Sequence, residues 1–532
     1  MLKYIVKHYK GYLLGFFCLT ITNLLGAYIP QLIKQAIDML SSLDSDALFK
    51  LLLWATLMAV LMALIRTASR QIIFARGREI EFDLKKDIFN HLVTLPPSYF
   101  ANKQEGLVST QAGSLISVIT NDVQSLRMLG GFAMLNVFNT LVAFAITLPL
   151  MFQLHEKLTW AFLTLIPIVV FFVIALSSKI KTYQTWVQEE LAKVSEFIEQ
   201  NLSGIHIIKA YAQEAAELKR FEGFNNGLRD AYMKLIQVRS FIGPVMRVIA
   251  SLGFVLLLYI GGQAIIEQEF SAGDFAAYTL YIQRLIWPIA TLGWLITLVY
   301  RGQVSQARIN SILDVDPSIK DRENAIEKNS FDSKIELKTL ARTINKGEKV
   351  AIVGRIGSGK TILANKLMHL KELEDGEIFI DGVDLKDIKL DSLRSLINIV
   401  PQNNFLFSNS IAENIAYARE LEPEQIEELA KLVCIHDEIT ALPEGYQSIV
   451  GERGVTLSGG QRQRIAIARA LAVDPEVLIL DDSLSSLDEI SARNVLCNIL
   501  KQRQGKTTIF VGHNQVLLEH MDQVIELEAV DG

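Results

Sequence analysis

Cysteine is scarce in this chain of 532 residues, which contains three, at Cys18, Cys434 and Cys497. They are dispersed and odd in number, so neither a disulfide framework nor a paired metal-ligand spacing is expected. A basic excess is also missing, because the net charge is −6 and the pI is near 5.9. A basic face is the usual electrostatic footprint of nucleic-acid binding. The composition therefore argues against a generic nucleic-acid binder, and we expect no nucleic-acid partner.

Long apolar runs are nearly absent after residue 300, although 50% of all residues are hydrophobic and the mean hydropathy is +0.28. Residues 315–532 are instead rich in Lys, Glu, Asp and Gly, as in a soluble domain. The chain is also too long for one ordinary domain. We therefore predict an apolar domain over residues 1–315 and a soluble domain over residues 316–532.

Apolar segments of about 20 residues, the length that crosses a bilayer, recur before residue 300. We place six of them, near residues 11–38, 48–76, 129–153, 157–178, 241–266 and 272–300. A secretory signal is the alternative for the first, but its apolar run exceeds the roughly 7–15 residues of a signal core and has no A-x-A-like cleavage site. Lys and Arg gather at the N-terminus and in two long connections, which the positive-inside rule places in the cytoplasm. We expect a multi-pass membrane protein with both termini in the cytoplasm.

Polar side chains inside these apolar segments are costly in lipid and usually face a bundle interior or water. The candidates are Asn23, Asn136, Asn139, Arg247 and Arg284. A substrate pathway is one interpretation of Arg284, which stands near Trp287 and Pro288. A hydrogen bond between helices, or a cytoplasmic extension of the helix, is the other. Both interpretations stay open for each residue.

A phosphate-binding loop begins where the short apolar strand Lys349–Val353 ends. The loop reads Gly354-Arg355-Ile356-Gly357-Ser358-Gly359-Lys360-Thr361, and a helical pattern follows it. This is the G-x-x-x-x-G-K-[ST] pattern in its strand-loop-helix context. Its glycines allow backbone N–H groups and the helix N-terminus to close on phosphates. We expect Lys360 to reach the β- and γ-phosphates and Thr361 to ligate Mg²⁺.

Two further motifs accompany the loop. The segment Val477–Asp481 predicts a core strand with one carboxylate at its C-terminal edge, where open α/β sheets bind ligands. Asp481 is therefore the expected acidic partner for Mg²⁺. Between loop and strand lies Leu457-Ser458-Gly459-Gly460-Gln461. This run opens a helix, so Ser458 and the amides of Gly459 and Gly460 can face an anion.

In this order and spacing the three motifs resemble the nucleotide-binding domain of ATP-binding cassette (ABC) transporters. The first half is similar to the six-helix transmembrane domain of ABC exporters, with Thr120-Asn121-Asp122 closing its first cytoplasmic loop. The segment Ile208-Lys209-Ala210-Tyr211, followed by Glu214, resembles the part that docks onto the ATPase domain. The resemblance implies a multidomain fold, an all-α six-helix transmembrane domain followed by an α/β P-loop NTPase domain. It also implies ATP and Mg²⁺ as cofactors and ATP hydrolysis coupled to transport.

The resemblance assigns further residues one by one. Gln402 takes the place of the glutamine that senses magnesium and the attacking water, and His513 that of the switch histidine. Two segments also match, the exporter-specific Gly451-Glu452-Arg453-Gly454 and the loop Ser486-Leu487-Asp488 that joins the two sites. In the family, the signature residues Ser458, Gly459, Gly460 and Gln461 act on the γ-phosphate bound to the other subunit. A single chain with one cassette therefore implies a dimer.

One position departs from the fully active pattern. The family has a glutamate that polarises the attacking water, and this chain has Asp482 there. An aspartate beside an intact signature resembles the degenerate half of a heterodimeric exporter. The segment Leu480–Ser485 and the region around the signature are most similar to MdlA-type multidrug-resistance-like half-transporters. This similarity implies an MdlB-like partner chain, and a homodimer in which Asp482 acts as the base is the alternative.

A second departure concerns adenine binding. The family places an aromatic residue before the phosphate loop, with two strands between, and here Lys334–Leu337 passes almost directly to Thr343–Glu348. Phe331 is the nearby aromatic residue, and we do not assign it the stacking role. An ATP-binding subunit that hydrolyses weakly or not at all is therefore a second hypothesis. A soluble ABC-type ATPase of DNA repair or translation is the third, and six spans contradict it. The family implies contact with membrane lipid and a small amphipathic substrate, while lipids and peptides fit equally well.

Overall fold

The computed structural model describes residues 1–40, 45–101, 110, 112–355, 357–417, 419–451, 457–512 and 518–528. The chain divides into two compact units. Unit 1 comprises Met1–Leu92 and Glu105–Asp314, and unit 2 comprises Val93–Gln104 and Val315–Gly532.

Helices make up the part of the chain before Asp314. They are α1 (Leu2–Lys7), α2 (Tyr9–Met39), α3 (Ser45–Thr94), α4 (Pro97–Ala101), α5 (Ala112–Ser117), α6 (Val123–Met128), α7 (Met134–Leu154), α8 (Glu156–Ser203), α9 (Ile205–Ala210), α10 (Glu214–Ser240), α11 (Ile242–Leu256), α12 (Gly262–Ile266) and α13 (Ala272–Leu313). Single π-helical turns join α5 to α6, α6 to α7 and α11 to α12, so these segments continue one another. Turns of this kind relieve strain without ending a helix.

Three of the described helical stretches are long and apolar enough to cross a membrane, Tyr9–Met39, Asp46–Thr94 and Ala112–Leu154. Ser251–Ile266 is a shorter apolar helix. Helices also occupy the other predicted span positions, since residues 157–178 fall in α8 and residues 272–300 in α13. The presence of long apolar helices confirms a helical transmembrane region, while the number of six spans stays a prediction.

Unit 1 is held together by packing of α13 against α2 and α7, and of α8 against α10. Buried tyrosines link distant helices by hydrogen bonds. Tyr281 in α13 donates to the carbonyl oxygen of Ala27 in α2 at 2.9 Å, and Tyr12 donates to that of Gly130 at 2.8 Å. Polar atoms in an apolar bundle must find partners inside the protein, so these bonds favour one arrangement of the helices.

The described residues of unit 2 form two sheets. The strands are β1 (Lys334–Leu337), β2 (Arg342–Asn345), β3 (Lys349–Gly354), β4 (Ile378–Ile380), β5 (Val383–Asp384), β6 (Ile397–Val400), β7 (Val477–Asp481), β8 (Thr507–Val511) and β9 (Gln523–Leu527). The first sheet is antiparallel with the order β2-β1-β4-β5, and the second is parallel with the order β6-β7-β8-β3-β9. The strands β7 and β8 are buried along their whole length, as expected for central strands of a parallel sheet.

Helices of unit 2 flank the parallel sheet. They are α14 (Lys360–Leu367), α15 (Leu390–Leu396), α16 (Ile411–Ala416), α17 (Pro423–Leu432), α18 (His436–Thr440), α19 (Gly459–Leu471) and α20 (Glu489–Gln502). The carboxyl ends of parallel strands meet at one edge of the sheet. The same edge of the sheet therefore carries the phosphate loop after β3, Gln402 after β6 and Asp481 at the end of β7. The predicted fold class, a helical transmembrane region followed by an α/β nucleotide-binding domain, is confirmed.

A buried arginine connects α20 to the base of the sheet. The side chain of Arg503 is 1% exposed and donates to the carbonyl oxygens of Pro475 at 2.9 Å and Thr507 at 3.1 Å, and to Oγ1 of Thr508 at 3.2 Å. Burial lowers its pKa to about 10, which still leaves the guanidinium charged at neutral pH. These bonds join the segment that precedes β7 to the first two residues of β8.

Replacing this arginine is expected to destabilise the protein. Arg503→Met removes the donors and leaves buried carbonyl groups unpaired, at a cost of about 3 kcal/mol. That loss corresponds to a fall in Tm of about 6–12 °C for a domain of this size. Thermal unfolding of the full chain in detergent measures it. Arg493→Met, at an exposed arginine of α20, is the control and should change Tm little. Equal shifts for the two variants would contradict this role of Arg503.

Candidate active site

The phosphate loop adopts a backbone that requires glycine. Gly354 ends β3 with φ +153°, and a Cβ there would lie 2.6 Å from the carbonyl oxygen of Leu527 and 2.7 Å from Oγ of Ser358. Gly359, with φ +87°, precedes the first residue of α14. A larger residue at either position would clash or adopt a disfavoured conformation. The strand, the turn and the helix are therefore placed as the sequence predicts, while Ile356 lies outside the described residues.

The polar side chains of the loop are arranged around its backbone. Nζ of Lys360 donates to the carbonyl oxygens of Gly354 at 2.7 Å and Arg355 at 2.9 Å. Oγ of Ser358 is buried and has no hydrogen-bond partner among the described residues. A buried hydroxyl without a partner is costly, and a ligand oxygen would supply one. This chemistry fits a phosphate group, the ligand predicted for the loop.

Asp481 ends β7 beside the first turn of α14. Its side chain is buried, and Oδ1 accepts a hydrogen bond from Oγ1 of Thr361 at 3.3 Å. Burial is the main cause that raises the pKa of Asp481 above its usual value, with the charge of Asp482 adding to the effect and the charge of Lys360 opposing it. A buried carboxylate beside a hydroxyl is an oxygen-donor pair of the kind that Mg²⁺ prefers.

Asp482 lies next to it in a strained conformation. Its φ is +48°, and its backbone N–H donates to the carbonyl oxygen of Val511 in β8 at 2.7 Å. Nε2 of Gln402, which follows β6, donates to Oδ2 of Asp482 at 3.3 Å. Residues from three neighbouring strands thus meet at one edge of the sheet. Hydrogen bonds bring Thr361 to Asp481 and Gln402 to Asp482, while the roles of these residues stay a prediction.

The signature segment begins α19 with a capping box. The backbone N–H of Gln461 donates to Oγ of Ser458 at 3.2 Å, and that of Ser458 donates to Oε1 of Gln461 at 2.8 Å. A Cβ on Gly460 would lie 3.0 Å from Cδ2 of Leu487 and 3.2 Å from the carbonyl oxygen of Ser486. Gly460 therefore allows the start of α19 to pack closely against the loop that precedes α20.

Gln463 was not predicted, yet it joins the signature helix to the catalytic edge. Its side chain is 2% exposed. Nε2 donates to the carbonyl oxygen of Asp482 at 3.1 Å, and Oε1 accepts from the backbone N–H of Ser486 at 3.0 Å. No local signal marks it, because it stands among the polar residues Gln461, Arg462 and Arg464 and its partners are distant in the sequence.

Arg469, in the last turn of α19, anchors the segment that follows Gln402. Its guanidinium donates to the carbonyl oxygen of Phe405 at 2.9 Å, and to the carbonyl oxygen and Oδ1 of Asn414, both at 2.8 Å. It also lies near the rings of Phe407 and Tyr417. This residue was missed as well, since its partners are distant in the sequence. The signature helix therefore contacts both the Asp482 segment and the Gln402 segment.

Some predicted site residues are not brought to the phosphate loop. In the part of the chain that the structure describes, no hydrogen bond or ion pair joins Ser458, Gly459, Gly460 or Gln461 to residues 354–361. His513 and residues 452–456 of the exporter-specific segment lie outside the described residues. Phe331 is 1% exposed and packs in the core of unit 2, so its ring faces are not available for stacking.

Comparisons with known proteins identify both halves. Residues 12–289 match the family model described as "ABC transporter transmembrane region", and residues 337–485 match that described as "ABC transporter". The chain is 29% identical over 544 residues to the multidrug resistance-like ATP-binding protein MdlA of Buchnera aphidicola subsp. Schizaphis graminum, covering 99% of this chain and 92% of MdlA. It is also 29% identical over 545 residues to the ATP-dependent lipid A-core flippase of Syntrophus aciditrophicus, covering 99% and 89% of the two chains.

A solved structure agrees with these matches. The fold is similar to that of a bacterial Atm1-family ABC exporter with ATP bound, with a TM-score of 0.78 and 22% identity, covering 98% of this chain and 94% of the other. The transmembrane match places the protein in the cytoplasmic membrane as a multi-pass protein. Since the transmembrane region and the ATPase occupy one chain in the exporter order, the chain belongs to the ABC transporter family and is an ATP hydrolase coupled to export.

Proposed function

We propose that this chain is one half of a heterodimeric ABC exporter and contributes its degenerate catalytic site. Residues 1–315 form its transmembrane domain, and residues 316–532 form its ATPase domain. The partner is an MdlB-like half-transporter that carries a glutamate at the position of Asp482. The complex exports an amphipathic or hydrophobic substrate. Similarity to a multidrug-resistance-like protein and to a lipid flippase supports this class of substrate.

Asp482 is the observation that carries the proposal. Its backbone N–H is bonded to Val511 and its carbonyl oxygen accepts from Gln463, so the main chain is held from both sides. The segment cannot move forward to compensate for a side chain that is one methylene shorter than glutamate. The reach of the carboxylate falls by about 1 Å, and a misplacement of that size can lower a rate by about 10²-fold. This chain therefore has a base that is poorly placed for water activation.

ATP and Mg²⁺ fit the residues of the loop. The backbone of residues 354–359, Ser358 and Lys360 bind the phosphates, and Thr361, Asp481 and Gln402 hold the metal. A Mg²⁺ ion held by these residues would supply charge neutralisation for the phosphates. Asp481 and Thr361 are already hydrogen-bonded to each other, and burial raises the pKa of Asp481, so a bound cation would stabilise its ionised form. Nε2 of Gln402 also donates to Oδ2 of Asp482 at 3.3 Å, which supports a position of Gln402 beside the metal.

The signature segment provides the reason for a dimer. Ser458 and the N-terminus of α19 form an anion-binding helix start that is well ordered by its capping box. Within the described chain it makes no bond to its own phosphate loop, which supports action on the nucleotide of the partner subunit. A complete signature beside an impaired base is the arrangement expected when the competent site holds the partner's glutamate.

The short helix α9 is the proposed coupling element of the second cytoplasmic loop. It has no buried residue, and Ile207 and Tyr211 expose most of their surface. Lys209 pairs with Glu214 at 2.8 Å, which fixes the turn between α9 and α10. Exposed apolar side chains on an ordered turn support docking onto an ATPase domain.

A second candidate function is that of an ATP-binding subunit with a regulatory role. The buried ring of Phe331 favours it, because the described segment before the phosphate loop then offers no stacking surface for adenine. Base stacking is worth about 1–3 kcal/mol in other complexes, so ATP affinity would be reduced. The two candidates predict different results when a glutamate is restored at position 482. The degenerate half would gain ATP hydrolysis, and the regulatory subunit would not.

The buried carboxylate of Asp481 is expected to lower the free energy of unfolding, a cost that metal binding would offset. Burial raises the pKa of Asp481 in the folded state. The contribution of this group to the free energy of unfolding is therefore favourable below the pKa of the unfolded state and is lost as the pH rises through the pKa of the folded state. At pH 7.5, Asp481→Asn should therefore raise the Tm of the nucleotide-free full chain by a few degrees and abolish the further rise caused by Mg²⁺ and ATP. Thermal unfolding with and without nucleotide measures both effects.

The exposed Asp316→Asn is the control for this experiment and should change neither value. A lower Tm for nucleotide-free Asp481→Asn would contradict the predicted electrostatic cost. A retained stabilisation by Mg²⁺ and ATP would contradict the assignment of Asp481 as a metal ligand.

Restoring the glutamate tests the proposed function directly. We expect the chain alone in lipid nanodiscs to hydrolyse ATP at a rate near that of the Lys360→Ala blank. Asp482→Glu should raise Mg²⁺-dependent hydrolysis at least tenfold, since the longer side chain recovers the reach of the base. Phosphate release measured at saturating ATP gives both rates, and Asp482→Asn is the control that should stay at the blank.

Two results would change the conclusion. Normal turnover by the unmodified chain alone would show a self-sufficient homodimer and refute the degenerate half. Hydrolysis by Asp482→Glu that stays at the blank, with ATP still bound, would favour the regulatory candidate.

A further inference from the structure

A polar cluster lies within the apolar helices of unit 1. Nη2 of Arg284 in α13 donates to the backbone carbonyl oxygen of Asn23 in α2 at 2.6 Å and to its Oδ1 at 3.0 Å. Nδ2 of Asn23 in turn donates to Oδ1 of Asn139 in α7 at 3.0 Å. These bonds fit one of the two interpretations left open by the sequence, hydrogen bonding between helices. They use one nitrogen of the guanidinium and only neutral acceptors.

A second guanidinium approaches the first around Gly26 and Met62. A Cβ on Gly26 would lie 2.6 Å from Nη1 of Arg284 and 3.1 Å from Sδ of Met62. Nη2 of Arg66 in α3 lies 3.5 Å from the same Sδ. The charge of Arg66 acts on Arg284, and that of Arg70, one turn further along α3, acts on Arg66. Gly26 therefore leaves room for Nη1 of Arg284. The positive charges of Arg66 and Arg70 lie near this end of the cluster.

No carboxylate on these helices can reach the two guanidinium groups. At 1.5 Å per residue, Asp38 of α2 lies about 22 Å along the axis from Asn23, and Glu79 of α3 lies about 20 Å from Arg66. Asp274 of α13 lies about 15 Å from Arg284 and pairs with Lys34. Among the described residues, neither Arg66 nor Arg284 forms an ion pair.

The cluster lies near the middle of the apolar segments. Asn23 is central in Tyr9–Met39, and Arg66 and Arg284 lie within the apolar parts of α3 and α13. A charge at this depth is costly, and such groups usually pair with an opposite charge or line a path for a charged ligand. No carboxylate of these helices compensates the charges of Arg66 and Arg284, so we expect an anion to bind beside them.

We propose that Arg284 and Arg66 form an anion-binding site halfway across the membrane, which takes the headgroup of an anionic amphiphile as the transported substrate. This inference rests on the proposed export of an amphipathic substrate and adds the sign of its charge. A guanidinium binds phosphate, sulfate or carboxylate oxygens through paired donors. Met62 stands one turn before Arg66 on the same face of α3, and its Sδ lies 3.5 Å from Nη2 of Arg66, so it offers an apolar contact to the tail.

The anionic headgroup has two sources, a lipid of the surrounding bilayer or a free amphiphile that enters from it. Both carry the same chemistry to the site. A cationic amphiphile of equal length is repelled by the same arginines. The site therefore predicts a preference by charge that an apolar cavity alone does not create.

Equilibrium binding to the full chain in nanodiscs, without nucleotide, tests the site. The probes are a fluorescent dodecyl sulfonate, the dodecanol with the same fluorophore, and the matching trimethylammonium compound. We expect the sulfonate to bind at least tenfold more tightly than the alcohol, and the cation no more tightly than the alcohol. Arg284→Gln and Arg66→Gln should each reduce the sulfonate preference several-fold and leave the affinity for the alcohol unchanged. Arg284→Lys should retain most of the preference because it keeps the charge.

Arg247→Gln is the matched control, since it removes an arginine from α11, outside the cluster, and should have no effect. An unchanged affinity for the alcohol shows that a variant has kept its fold. Arg66→Gln is the safer variant in this respect, because among the described residues the hydrogen bond of Arg66 is a weak one, to Sδ of Met62 at 3.5 Å. Equal binding of sulfonate and alcohol, or a sulfonate preference that survives both glutamine variants, would overturn the proposal.

Nanodisc composition separates the two sources. Weaker apparent sulfonate binding in phosphatidylglycerol than in phosphatidylcholine would identify a bilayer lipid as the competing occupant. Equal binding in both would identify the free amphiphile, and each result retains the anion site. Because no nucleotide is present, a failure of the ATPase experiments would leave this result untouched, and the converse also holds.

Discussion

Parallel pairing of β3, β8 and β7 is the interaction on which the catalytic half depends. Val350 pairs with Ile509, and Ile509 pairs in turn with Ile479, so three buried apolar strands are aligned. Their common direction carries the phosphate loop and Asp481 to the same edge of the sheet. The hydrogen bond between Thr361 and Asp481 is a consequence of this alignment, because the two residues stand about 120 positions apart in the chain. Without the pairing, the phosphate loop would have no acidic partner.

The helix α19 connects this edge of the sheet to the segments around it. Its first residues form the signature segment, Gln463 bonds to the segments of Asp482 and Ser486, and Arg469 holds the segment after Gln402. One helix therefore joins three segments to the signature segment. The backbone N–H of Asp482 also donates to the carbonyl oxygen of Val511, so the main chain of this residue is held from both sides.

The membrane half is governed by a different constraint. Polar groups in apolar helices must be satisfied within the protein, and Tyr12, Tyr281 and Asn23 meet this requirement with neighbouring helices. Arg284 meets it at Nη2 and not for its charge. This contrast between satisfied polarity and uncompensated charge is the basis of the proposed anion site.

The sequence by itself determined the local chemistry of this protein. The phosphate loop, the strand that ends in Asp481, the helix start at Ser458 and the long apolar segments are short-range patterns, since each depends on neighbouring residues and on backbone geometry. The substitution at 482 is likewise visible from one letter. Only the tertiary structure decided the roles of Gln463, Arg469 and Arg503, and the meeting of Arg66 with Arg284. Their partners come from distant parts of the chain, and burial and charge compensation are properties of the packed structure that no local pattern contains.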